Sequence, residues 1–153
     1  MHLIIGGQHM GKRAFAESLY KDLKFLDLGE PDNLENLLNN FAYIKEEELC
    51  GKNLLSKNNF AHIKAEEDFK FNAAFNIHLA VRNLLERGQD ALSLFNLIKN
   101  FKVIICDEIG AGVVPLDKFE RRWRDETGLL YQALVREADR VDRVWAGLAL
   151  RLK

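Results

Sequence analysis

The apolar positions of this chain follow two rhythms. Short apolar runs occur at Leu3-Ile4-Ile5, around Phe25-Leu26-Asp27-Leu28 and at Val103-Ile104-Ile105-Cys106. Such runs read as strands, and the unbroken one at 103–106 suits a parallel strand covered on both faces. Between them the spacing becomes helical. Ile77, Ala80, Val81, Leu84 and Leu85 fall on one helical face, and Gly88 stands where a helix C′ residue belongs. Ala14, Phe15, Ser18 and Leu19 predict a short helix. Leu34, Leu37, Leu38 and Phe41 predict another, opened by Asp32 and Glu35 as in a capping box. Ala91, Leu94, Phe95 and Ile98 predict a third. Pro115 and Asp117 set up a long helix with Phe119, Trp123, Leu130, Leu134 and Ala138 on its apolar side. The stretch from Val144 to Leu152 alternates around Gly147 and predicts one or two terminal strands. From Ala42 to Ala74 the pattern is weak. Phe60 to Ile63 reads as a short strand, and the acidic clusters Glu46-Glu47-Glu48 and Glu66-Glu67-Asp68 as solvated faces rather than metal sites.

Strands alternating with helices imply an α/β fold with three layers and a mainly parallel sheet, ending in an antiparallel strand or hairpin. At 153 residues the chain reads as one domain, residues 1–153. Ligands of such sheets sit at the carboxyl ends of the strands.

The first strand leads into the stretch with the clearest chemistry. Gly6-Gly7-Gln8-His9-Met10-Gly11-Lys12-Arg13 matches the P-loop spacing: a glycine, four residues, a glycine and a lysine, directly before a helix. Glycines let backbone N–H groups curl around a phosphate, the helix N-terminus favours the anion, and Lys12 adds a full charge. The alternative is a glycine-rich turn with a solvated lysine; the order strand, loop, lysine, helix favours phosphate. The Ser or Thr that normally follows the lysine and ligates Mg²⁺ is Arg13, which cannot bind a cation but can grip phosphate in a two-pronged way. Mg²⁺ binding is expected to be weakened accordingly.

Asp107 and Glu108 close the strand at 103–106. They read either as an exposed strand end or, in a P-loop protein, as carboxylates facing the phosphates. In the second reading Asp107 positions Mg²⁺ and Glu108 is the candidate base. Gly110 and Gly112 lie in the loop that follows. Arg121, Arg122 and Arg124 crowd one helical turn, and the neighbouring acids favour a solvated face for Arg121.

Bulk properties narrow the partners. A net charge of −1 argues against nucleic acid. The opening apolar run is too short for a membrane span, and two distant cysteines, Cys50 and Cys106, fit a reducing cytoplasm.

The stretches Asp107-Glu108-Ile109-Gly110-Ala111-Gly112-Val113-Val114-Pro115 and Arg121-Arg122-Trp123-Arg124-Asp125-Glu126-Thr127-Gly128, with the ending Ala146 to Lys153, resemble the adenosylcobinamide kinase / adenosylcobinamide-phosphate guanylyltransferase family. The opening P-loop matches that family in position and spacing. The resemblance implies a cytoplasmic enzyme of cobalamin assembly. Such an enzyme phosphorylates the aminopropanol hydroxyl of adenosylcobinamide, then transfers GMP from GTP through a guanylylated histidine. It implies GTP or ATP and a corrinoid as ligands, neither nucleic acid nor membrane as partner, and a homo-oligomer, with a trimer favoured. Lys12, Asp107 and Glu108 become the expected catalytic residues, Gly6 to Arg13 the nucleotide loop, and His78, Arg82, Gly110 and Gly112 the expected substrate contacts. Two departures stand out. Arg13 replaces the family's serine, and the segment Asp32 to Glu48, where the acceptor histidine belongs, contains no histidine. His9 lies in the P-loop instead, within reach of a phosphate but in the wrong place for the family's nucleophile, and His62 reads as a surface or core histidine. The expectation is therefore a shortened member in which the kinase half survives better than guanylyl transfer. The alternative is a non-catalytic nucleotide-binding or regulatory relative.

Overall fold

The computed structural model describes residues 1–39 and 71–153. Its strands are β1 (His2–Gly6), β2 (Phe25–Asp27), β3 (Ala73–Phe75), β4 (Val103–Asp107), β5 (Arg140–Trp145) and β6 (Leu148–Arg151). Its helices are α1 (Lys12–Leu19), α2 (residues 31–39), α3 (Ile77–Glu86), α4 (Ser93–Ile98) and α5 (Lys118–Glu137). The strands form one sheet in the order β2-β3-β4-β1-β5-β6, parallel throughout except for the antiparallel β5–β6 pair. This is the expected α/β architecture, with the antiparallel strand at the sheet edge.

Strand alternation sorts the core into two layers. On one face Leu3, Leu26, Ala74, Ile104, Cys106 and Val141 join buried residues of α2 to α5, such as Leu34, Ile77, Leu84, Leu94, Leu130 and Leu134. On the other, Ile4, Ala73, Val103, Ile105 and Val144 meet Ala16 of α1, with Phe15, Tyr20, Phe25 and Phe75 alongside. The five apolar residues expected on one face of α3 are all buried. Its end is a Schellman closure: Gly88 has φ 70°, Gly88 N–H donates to Leu85 O at 3.0 Å, and Gln89 N–H to Leu84 O at 2.9 Å. Asp117 caps α5 by accepting from the Glu120 N–H at 3.0 Å.

Several details differ from expectation. The buried side of α1 carries Lys12 and Ala16, with Phe15 half-buried, while Ala14, Ser18 and Leu19 are exposed. The reason is that the lysine side chain is drawn inward by the site described below. Helix α2 begins at Pro31, with the Leu34 N–H bonded to Glu30 O at 3.2 Å, so Asp32 lies inside its first turn and is not its cap. Proline suits that first position, because its missing N–H has no helical partner there. Strand β3 was not expected. Two alanines in three residues carry little β-propensity, and the strand exists because it lies between β2 and β4. The readings of Phe41, of the acidic clusters at 46–48 and 66–68, of Phe60 to Ile63, and of Cys50 and His62 fall outside the described residues.

Candidate active site

The loop between β1 and α1 is shaped by two glycines. A Cβ on Gly6 would lie 2.3 Å from Val144 O, so the strand can pass β5 only as glycine. Gly11 has φ 86° and begins α1 from a left-handed conformation. His9, at φ 59°, adopts the same region without being glycine, at a cost of about 1 kcal/mol. It is exposed at the loop tip. The loop is braced from outside by the β5–β6 turn. There Ala146 (φ 48°) and Gly147 (φ 80°) form a two-residue hairpin with both central residues at positive φ. Gly147 N–H donates to Met10 O at 3.0 Å, and Ala146 N–H points at Met10 Sδ at 3.4 Å.

Lys12 is only 7% exposed. Its ammonium donates to Gly7 O at 2.6 Å and forms an ion pair with Asp107 Oδ1. Strand pairing explains the meeting: β1 and β4 are parallel neighbours in register, Gly6 opposite Asp107. The sequence-predicted lysine and aspartate are thus in contact. On the far side of Asp107, the Nδ1 atom of His78 lies 3.7 Å from Oδ2. His78 is the second residue of α3, at the carboxyl end of β3. Burial, partly opposed by Asp107, lowers its pKa below the ordinary 6.5. The Trp123 indole N–H donates to His78 O at 2.6 Å, and the two rings lie 6.1 Å apart.

The remaining expected residues are placed differently. Both carboxylate oxygens of Glu108 are taken by Arg143 of β5, at 2.9 and 3.0 Å, as a forked pair. The Arg13 guanidinium stacks over Phe25 at 4.7 Å and lies 5.8 Å from the Phe75 ring, while its Nε bonds Glu17 at 3.0 Å. Arg82 reaches across to α5, pairing with Glu120 at 2.8 Å and Glu86 at 3.1 Å and lying over Trp123 at 5.0 Å. Gly110 and Gly112 lie in the exposed loop after β4, with open space around both. Arg124 and Arg121, read from sequence as a charged helical turn, donate to carbonyls of that loop. Arg124 reaches Val113 O at 2.9 Å and Gly110 O at 2.5 Å, and Arg121 reaches Pro115 O at 2.9 Å and Leu116 O at 2.6 Å. The solvated-face reading of Arg121 is corrected accordingly. The only hint in the sequence was their placement one turn inside the helix that the loop enters.

Position 13 offers no hydroxyl for Mg²⁺, and Asp107, the carboxylate expected to position that ion, is paired with Lys12 in the structure. The arrangement instead offers a curled backbone, a helix N-terminus and one poised ammonium, which together suit an anionic group. Among the described residues no helix is long and apolar enough to cross a membrane.

Comparison with known proteins bears on what uses this site. A segment of 51 residues is 43% identical to the bifunctional adenosylcobalamin biosynthesis protein CobP of Pseudomonas aeruginosa, covering 33% of this chain and 30% of that protein. The chain thus matches under a third of that relative's length. The model of the cobinamide kinase / cobinamide phosphate guanyltransferase family matches residues 36–152, which include Asp107, Glu108, His78 and the whole of α5 but begin after the P-loop. With a match over most of its length, the chain belongs to the cobinamide kinase / cobinamide phosphate guanyltransferase family.

Proposed function

We propose that this protein is a nucleotide-dependent transferase of cobalamin assembly that carries a phosphoryl group from GTP or ATP to the hydroxyl of adenosylcobinamide. The single observation that carries this reading is the Lys12–Asp107 contact at the mouth of the glycine loop. It puts a cation able to take up a phosphate beside a carboxylate able to face the acceptor. Family membership supplies the acceptor class. The loop from Gly6 to Arg13 cradles the phosphates. Lys12 turns from Asp107 to the transferring group and stabilises its developing charge, the kind of electrostatic help on which phosphoryl transfer depends. Asp107, nearer to Lys12 than Glu108 is, takes the carboxylate role towards the acceptor. Glu108 then acts through Arg143, holding β5 to the loop. Because Arg13 stands where the P-loop hydroxyl would ligate Mg²⁺, the ion's contribution to nucleotide binding is weakened. Guanylyl transfer is the weaker half, because the segment where the acceptor histidine belongs contains none.

A homo-oligomer, favoured as a trimer, is part of the proposal. The edge strand β6 and the strand before it expose Trp145, Leu148, Leu150 and Leu152. Pairing of Trp145 with Leu148 and of Arg143 with Leu150 puts these apolar side chains on one face.

One specific observation favours the second reading, a nucleotide-binding relative without turnover. Lys12, Glu108, Arg13 and Arg82 are all engaged within the protein. An assay for labelled phosphate passing from the γ-position of GTP or ATP to adenosylcobinamide decides between them. Transfer that disappears in Lys12→Ala supports the kinase. Tight nucleotide binding with no transfer by the wild type supports the binder.

A further inference from the structure

We infer that the acceptor hydroxyl is seated between His78 Nδ1 and Asp107 Oδ2; this rests on the acceptor reading above and adds the atoms that hold it. Nδ1 of His78 is buried and, among the described residues, has no hydrogen-bond partner. A buried imidazole nitrogen left unpaired costs about 1–3 kcal/mol, so such an atom marks a place where a polar group is meant to arrive. Asp107 Oδ2 lies 3.7 Å away, too far for a hydrogen bond. A hydroxyl oxygen about 2.8 Å from both atoms would see them about 80° apart, a bond angle that an alcohol can serve. Its proton would go to the carboxylate, which can only accept, and its lone pair would accept from an Nδ1–H.

The surroundings leave the imidazole little freedom. Its backbone carbonyl is tied to Trp123, and the indole ring lies beside it. Arg82, one turn along α3, is occupied by Glu86 and Glu120. Lys12 uses the other carboxylate oxygen, Oδ1, so the seat on Oδ2 does not compete with it. A hydroxyl held there lies beside the carboxylate that pairs with Lys12, at the mouth of the glycine loop. An apolar group of the same size would leave both polar atoms unpaired, so the seat selects an alcohol over its deoxy counterpart.

The test is a cycle between residue and ligand. Adenosylcobinamide and an analogue whose aminopropanol arm lacks the hydroxyl are titrated into the GTP-loaded wild type, His78→Leu and His78→Asn. The asparagine amide can put a polar atom near the Nδ1 position. Unchanged GTP affinity shows that each variant is folded. The expected result is that the wild type prefers the alcohol about tenfold, that His78→Leu loses this preference while binding the analogue as before, and that His78→Asn retains most of it. Equal binding of alcohol and analogue by the wild type, or equal weakening of both by His78→Leu, would overturn the seat alone. If neither corrinoid binds while GTP does, the acceptor reading falls and the seat falls with it.

Discussion

Replacing Asp107 with asparagine separates the resting role of Lys12 from its working role. In the resting protein Lys12 is 7% exposed and Asp107 18% exposed. At an effective dielectric constant near 20, two charges about 4 Å apart attract by roughly 4 kcal/mol, and breaking a buried pair by removing one partner costs about 3–5 kcal/mol. Two features reduce that figure here. Asparagine keeps the size and one oxygen, and the ammonium retains its bond to Gly7 O at 2.6 Å. The net loss of stability should be about 2 kcal/mol, read as a lower urea midpoint. The same interaction must be given up when Lys12 turns to a phosphate. Asp107→Asn should therefore bind GTP about 10- to 30-fold more tightly than wild type by calorimetry, since each 1.4 kcal/mol is tenfold. Transfer to adenosylcobinamide should fall at the same time. A variant that loses stability but gains no affinity would refute the idea that the lysine leaves the carboxylate for the ligand.

Arg13→Ser restores the hydroxyl that P-loops use for Mg²⁺, so GTP affinity should become several-fold more Mg²⁺-dependent than in wild type; an unchanged ratio contradicts the role given to position 13. At the opposite end of β1, His2 is buried with Nε2 2.6 Å from Asp142 and Nδ1 3.0 Å from the Tyr20 hydroxyl. Burial lowers its pKa below 6.5, only partly offset by Asp142. Below the unfolded value the unfolded chain binds a proton that the folded chain resists. Stability is therefore full above about pH 6.5 and is lost as pH falls through that range, with His78 adding in the same direction. Urea midpoints across that interval should drop, and the slope should be shallower in His2→Asn; a midpoint flat in pH would contradict this. If the proposed oligomer forms through this face, Trp145→Ser combined with Leu150→Lys should shift it to monomer in sedimentation velocity; a wild type that sediments as a monomer, or an unchanged coefficient, would contradict it.

Local pattern carried the parts of the fold that local physics decides. The parallel strand at 103–106, the five-residue face of α3 and the Gly88 closure follow from hydropathy and glycine, and each is where its residues imply. The glycine-bearing loop likewise lies between a strand and a helix that begins at Lys12, in the order its spacing implies. The three-residue strand β3 was hidden because its two alanines owe their strand conformation to the neighbours on either side. The partners of charged residues were also hidden, being settled by contacts remote in sequence. Glu108 meets Arg143, 35 residues on, and the P-loop is backed by a hairpin turn more than 130 residues away. Arg121 and Arg124 look like any charged turn until the loop they clasp is seen folding back on them. His78 was visible as a histidine beside an apolar face, but its orphaned nitrogen opposite Asp107 depends on how α3 meets β4.

The most direct measurement is calorimetric titration of GTP into the wild type and Lys12→Ala, each with and without Mg²⁺. The account predicts binding by the wild type in both conditions, and a loss of at least tenfold in the variant in both. Equal affinity of the two proteins, or wild-type binding that exists only with Mg²⁺, would contradict it.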